Sequence, residues 1–181
     1  MIQSRKQFIN TVSWAFVGFF VPENLQSATD QNEPVIVHAD EGETYWIGRR
    51  NSPLTIKISR QKNKNKAVSF CTEDIAPGEG IPVHKHLNED ELIFIHAGEG
   101  ILTVDDKEIP VRKGTVALVP KNCWHSINNT GSQIFIMAFS YTPAGFEGYF
   151  REFGSPAGTP WQPKSQEQYE KINKKWGIVY R

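Results

Sequence analysis

The chain is short of cysteine, carries no surplus of charge and contains no long apolar run. Two cysteines, Cys71 and Cys123, occur in 181 residues. They are too few for a disulfide scaffold and lack zinc-finger spacing. Each reads as a small buried apolar side chain. Cys123, two residues before His125, shares its strand face and is a position for lining a pocket. Export would also permit a Cys71–Cys123 bridge. Basic and acidic residues balance at 20 each, so nothing in the net charge argues for nucleic acid as a partner. The local exception, Arg60 to Lys66, reads as a solvated hairpin loop. The apolar run Thr11–Val21 ends at Pro22 and is too short to span a bilayer as a stable helix. No solenoid-type repeat is visible. Hydrophobic residues at 39% and charged residues at 22% leave an ordinary globular composition, with length for one domain and its core.

Residues 1–28 do not read as part of that domain. Arg5 and Lys6 precede the apolar run, which suits the middle of an export signal. Ser4-Arg5-Lys6-Gln7-Phe8-Ile9 is similar to a twin-arginine signal with lysine in the second arginine position. The expected location is therefore periplasmic or secreted, with the cytoplasm as the alternative. The other reading of the segment is an apolar N-terminal helix packed on the domain or on a membrane surface. Residues 29–44 read as linker, with a short strand at Val35–Val37 and His38 at the surface.

From residue 45 to 142 the pattern is one of short strands punctuated by glycine, proline and asparagine. Glu43–Ile47, Leu54–Ser59 and Ala67–Thr72 open it. Asp105-Asp106 marks a hairpin between Ile101–Val104 and Lys107–Val111. Gly114–Val119, Trp124–Ile127 and Gln133–Tyr141 complete it. Residues 143–181 change character. Phe146, Tyr149, Phe150 and Phe153 fall at helical spacing and predict a helix whose stripe packs on the strands rather than touching substrate. Pro156–Pro163 reads as loop and Gln166–Lys175 as a helix. Trp176–Tyr180 reads as an apolar tail that must dock.

The chemistry concentrates between Gly78 and Asn129. His84 and His86 are two apart, so on a strand both imidazoles point to one face. Glu91 follows the polar bend Leu87-Asn88-Glu89-Asp90, and a return strand brings its carboxylate back to them. His125 lies on a later strand. Three neutral imidazoles and a carboxylate suit a divalent transition metal. Glu89, at the bend, is a second acid or base position beside Glu91. Ile93 and Ile95 share the Glu91 face and should form apolar pocket walls, with Val119 and Ile127 beside them and Trp124 at the mouth. His96 points the other way and reads as structural or surface.

These residues resemble the two motifs of the cupin superfamily. Gly78, His84, His86, Glu91 and Gly98 fit G-x5-H-x-H-x(3 or 4)-E-x6-G. Gly114, Pro120, His125 and Asn129 fit G-x5-P-x-G-x2-H-x3-N, with Asn122 in place of the middle glycine. Asparagine tolerates the left-handed backbone such a turn needs. The segment Pro143–Gly154 is also similar to one that follows the barrel in bacterial single-domain cupins related to quercetin dioxygenases. The resemblance implies an all-β, double-stranded jelly-roll barrel with short C-terminal helices and the N-terminal signal-like extension. It implies His84, His86, Glu91 and His125 as metal ligands. Iron or manganese is the favoured ion, and nickel, copper, cobalt and zinc are open alternatives. It further implies a homodimer through sheet faces, for which the outward Leu92 and Phe94 are available.

Apolar walls around a metal favour a flat organic small molecule over a highly charged one. The expectation is a metal-dependent dioxygenase of an enolic or phenolic substrate. Two others stay open: a non-oxidative cupin isomerase, decarboxylase or lyase, and a non-enzymatic module that binds or senses a small ligand.

Overall fold

Alternation along the strands divides inward from outward side chains. The computed structural model describes residues 34–48 and 52–181. The export-signal reading of residues 1–28 lies outside them, and 29–33 of the linker do too. In chain order the elements are β1 (Glu43–Ile47), β2 (Ser52–Ile58), α1 (Arg60–Asn63), β3 (Ser69–Ile75), β4 (Gly80–His86) and β5 (Asp90–Ala97). Then come β6 (Glu99–Val104), β7 (Lys107–Arg112), β8 (Val116–Val119), β9 (His125–Asn128) and β10 (Phe135–Thr142). The C-terminal part holds α2 (Glu147–Phe153), β11 (Ser155–Pro156), α3 (Gln166–Trp176) and β12 (Ile178–Tyr180).

Among the described residues the strands form two antiparallel sheets, β11-β1-β2-β3-β10-β5-β8 and β12-β4-β9-β6-β7. This is the expected jelly roll. On β5, Glu91, Ile93 and Ile95 are buried while Leu92 and Phe94 are exposed. On β10, Phe135, Met137, Phe139 and Tyr141 face inward. The two inward rows enclose the apolar core, as two packed sheets must. On the outer face Leu92 pairs with Leu118 and Phe94 with Val116, and all four are exposed.

The turns follow from residue chemistry. Asp105 and Asp106 both take positive φ, which fits the tight β6–β7 hairpin. Asn122 has φ 67°, the left-handed conformation for which asparagine substitutes for glycine in the second motif. Asn129 ties the following turn down: its Nδ2 donates to the carbonyls of Ile75 and Gln133, both at 2.8 Å. Its Oδ1 accepts from the Gly131 amide at 3.0 Å.

Several expectations are corrected. Val35–Val37 forms no strand. Arg60–Asn63 is a turn of helix capped by Ser59 rather than plain hairpin loop, so not all helices lie after the barrel. Cys71 and Cys123 are free thiols; Cys71 is buried, and Cys123 Sγ lies 3.1 Å from Asp105 Oδ2. The loop Pro156–Pro163 begins with a short strand, β11, paired to β1. The apolar tail docks as β12, antiparallel to β4, with Tyr180 opposite His84 and Ile178 opposite His86. Backbone hydrogen bonding to a sheet edge gives the tail its place, and periodicity within three residues could not announce it. Among the described residues no helix is long and apolar enough to cross a membrane.

The C-terminal elements are fixed by close packing and by ions. A Cβ on Gly148 of α2 would lie 2.1 Å from the Trp176 ring, so only glycine lets α3 approach this closely. Arg151 of α2 forms a two-pronged pair with Glu43 of β1, at 2.9 and 2.8 Å. The buried Glu147 carboxylate accepts from the Arg60 amide at 2.6 Å and the Gly145 amide at 2.8 Å. It joins α1 to the start of α2.

Candidate metal centre

β4 carries His84 and His86, β9 carries His125 directly opposite His84, and β5 carries Glu91. The imidazoles thus come from one sheet and the carboxylate from the other. All four side chains are buried, and one ligand atom from each lies within 4.8 Å of the others.

Hydrogen bonding turns the rings toward a common point. His84 Nδ1 lies 2.8 Å from the Pro82 carbonyl, and His125 Nδ1 lies 3.1 Å from the Cys123 carbonyl. A carbonyl only accepts, so both Nδ1 atoms carry hydrogen. Nε2 of each ring is left for the cluster. His125 Nε2 donates to Glu91 Oε2 at 2.9 Å. His86 Nε2 is 3.4 Å from the same oxygen, and neither ring nitrogen of His86 has a hydrogen-bond partner. The His86 ring is held instead by Phe146 and Tyr141, at 4.3 and 5.0 Å between centroids. The Asn122 amide donates to the His86 carbonyl at 2.7 Å, so the motif turn also holds the β4 end.

The electrostatics match. Burial, with His125 and His86 adjacent, pushes the His84 imidazole down to about 3, so it is a neutral donor at ordinary pH. Burial alone would raise the Glu91 carboxyl, but the neighbouring His125 and His86 outweigh it and hold Glu91 well below the usual carboxylate range. Burial opposes charge on His125 too, yet the Glu91 carboxylate raises it above its ordinary value. Glu91 and His125 thus favour each other's charged forms, as a cation between them would favour the carboxylate. Buried imidazole nitrogens without partners, two rings whose Nδ1 atoms turn to backbone carbonyls and whose Nε2 atoms turn to the cluster, and an ionised carboxylate fit a divalent metal.

The cluster opens into a cavity of about 480 Å³. Barrel residues Ile81, Ile93, Ile127, Met137, Phe139 and Tyr141 form one side. Phe146, which caps α2, and Tyr149, Phe150 and Phe153 within it form another. The α2 stripe packs on the barrel as expected, and it also borders the cavity. Gln166, Tyr169 and Asn173 of α3, with Ile178 and Tyr180 of β12, close it. Glu73 and Glu91 are the carboxylates of the wall, and no lysine or arginine is among its described residues.

The other residues expected at the site are placed as follows. Ile93 and Ile127 border the cavity. Ile95 and Val119 are buried in the core and do not. Trp124 points outward, with Lys85 Nζ 4.7 Å and Arg181 5.5 Å from its ring. Cys123 is not on the wall either. Glu89 is buried at the bend, and burial pushes its carboxyl up to about 7; it is not among the residues that line the cavity. Sequence reading missed Glu73, whose inward position follows from alternation with Cys71 and Ile75. It also missed Tyr180, which no local signal marks.

The model of the Cupin domain family matches residues 71–141. An oxalate-binding protein of Thermotoga maritima is 35% identical over 85 residues, which cover 47% of this chain and 70% of that protein. A structure described as a predicted oxalate decarboxylase, also from Thermotoga maritima, is 26% identical with a TM-score of 0.55; the match covers 60% of this chain and 98% of that one. An RmlC-like cupin from Shewanella frigidimarina is 17% identical with a TM-score of 0.52, covering 63% and 95%.

Proposed function

The chain belongs to the cupin superfamily, and from that premise we propose that it is a metal-dependent dioxygenase of a small enolic or phenolic molecule. His84, His86, Glu91 and His125 hold the ion, with iron(II) or manganese(II) favoured. When bound, the ion supplies Lewis acidity and a site where an organic oxygen and dioxygen can meet.

The observation that carries this reading is the character of the cavity. Its described walls are mostly aromatic and aliphatic, and no lysine or arginine is among the described residues that line it. A volume of about 480 Å³ suits a ring-bearing molecule. A dicarboxylate would have to leave its hydration for walls whose described residues include Glu73 and Glu91 and no lysine or arginine. A neutral or singly ionised phenol keeps its ring against Phe139, Phe146 and Phe150 and needs one polar contact at the metal. Glu91 lowers the net charge of the centre, and the buried aromatic wall limits the water beside it.

The relative named as an oxalate-binding protein supports a second reading, in which a small dicarboxylate is bound or decarboxylated. The family match ends at residue 141, before α2, α3 and β12, which supply much of the wall. What such a relative binds therefore need not fit here. Oxygen uptake by iron- or manganese-loaded protein decides between the two. Consumption with flavonols or β-diketones, and none with oxalate, is the expected result. Product formed from oxalate under strict anaerobiosis, without uptake on any phenol or diketone, would replace the dioxygenase reading with the second one.

A further inference from the structure

We propose that Tyr141 of β10 is a ligand-binding residue whose hydroxyl donates a hydrogen bond to an ionised oxygen of the cavity's occupant, beside Glu91 at the metal end. The inference rests on the reading that an organic molecule with an acidic enol or phenol fills this cavity, and it deepens that reading by naming the form that is bound.

Tyr141 stands directly opposite Glu91 in the pairing of β10 with β5, so the two side chains share the inward face. Its ring lies 5.0 Å from that of His86 and 4.7 Å from that of Phe146, between centroids, and both of those residues line the cavity. Tyr141 is 3% exposed and lines the cavity too, and its hydroxyl is not one of the fully enclosed polar atoms. The surface that the hydroxyl keeps therefore belongs to the cavity. The other tyrosines of the wall are engaged. The Tyr149 and Tyr180 hydroxyls bond each other at 2.9 Å, and the Tyr169 hydroxyl accepts from the Lys164 amide at 3.3 Å. The Tyr141 hydroxyl has no hydrogen-bond partner among the described residues.

Packing does not account for this hydroxyl. Phe139, Phe146 and Phe150 surround the ring, and a phenylalanine would fill the same space. A hydroxyl taken out of water into such surroundings costs free energy unless something bonds to it. Burial, and after it the Glu91 carboxylate, pushes the phenol well above its ordinary value of 10, so it keeps its proton and can donate. A ligand oxygen that ionises here meets the Glu91 charge, and no lysine or arginine among the described wall residues offsets it. The Tyr141 O–H supplies the compensating donor. The implied ligand class is a flat organic body carrying an enolate or phenolate.

Calorimetric titration of the metal-loaded full chain with 3-hydroxyflavone, which carries one acidic enolic hydroxyl, tests this on wild type and Tyr141→Phe. The variant keeps the ring, and its metal content and melting temperature are expected to match wild type. It should bind the flavonol about ten- to a hundredfold more weakly, the worth of a hydrogen bond to a charged oxygen. Equal affinity in the two proteins would overturn the role of Tyr141 and leave the functional reading standing. NMR of wild type labelled at tyrosine Cζ needs no substitution. The flavonol should move a tyrosine signal, and no movement in any of the five would overturn the role as well. If 3-hydroxyflavone does not bind wild type, the functional reading falls on its own, and Tyr141 is judged with oxalate, whose oxygens are ionised. A loss of about tenfold or more in Tyr141→Phe supports the donor. Equal oxalate binding in both proteins, or none to wild type, overturns it.

Discussion

The two ends of the cavity are built differently. The metal end stands on β4, β5 and β9, strands hydrogen-bonded on both sides within their sheets. The His84 and His125 rings are oriented by backbone carbonyls of their own strand and turn. The opposite wall stands on α2 and α3, which attach by side chains: the Phe146 stripe, Gly148 against Trp176, and the Arg151–Glu43 pair. Chemistry that tolerates little displacement sits on the sheet, and the surface that sets ligand shape sits on elements that can change without breaking the barrel.

If that division is right, damage at the metal end should abolish metal retention with the fold intact. Glu91→Gln removes the charge that balances the ion, and affinity should fall on the order of a hundredfold or more, read by competition with a chelator. Phe146→Ala strikes where the two ends meet, because Phe146 is 1% exposed and packs on both His86 and Tyr141. It should cost about 3–5 kcal/mol in chemical denaturation and also loosen the metal. A stability loss with metal affinity untouched would show that the ends are independent. Gly148→Ala forces a Cβ into the Trp176 ring and should cost about 1–3 kcal/mol. Hydrogen exchange should rise in α3 and stay unchanged in β4, β5 and β9; equal acceleration in the strands would erase the contrast.

The smallest effect concerns pH. Arg151 beside Glu43 holds that carboxyl below its usual 4.5, although partial burial opposes the shift. A carboxyl depressed in the folded state adds stability that is fully present above the unfolded value. That stability fades as pH falls from 4.5 through the lower folded value. Glu43→Gln should therefore lower stability modestly at neutral pH and flatten its acid dependence. The pair is partly exposed, so salt should weaken the effect. An acid profile unchanged in Glu43→Gln would remove this pair as an attachment of α2.

Legibility in the sequence followed the same division. His84, His86, Glu91 and His125 were readable because strand parity and motif spacing fix which residues share a face, and Asn122 declared its turn by type. Parity does not give depth along a strand. Ile95 and Val119 share the inward face of Glu91 or its partner strand yet end beyond the cavity, whereas Ile93 borders it. Trp124 alternates with His125 and so faces outward, where Lys85 and Arg181 flank its ring. The α2 stripe was visible as a packing face, but its partner was not. The tail was visible as apolar, but its pairing with β4 is a contact across much of the chain.

The central claim is that the quartet on β4, β5 and β9 is a working metal site. Elemental analysis of protein purified without an affinity-metal step, beside a His84→Ala/His125→Ala control, tests it most directly. The account expects about one iron or manganese per chain in the wild type and none in the folded control. No metal in the wild type after anaerobic reconstitution, or equal metal in both proteins, would contradict it.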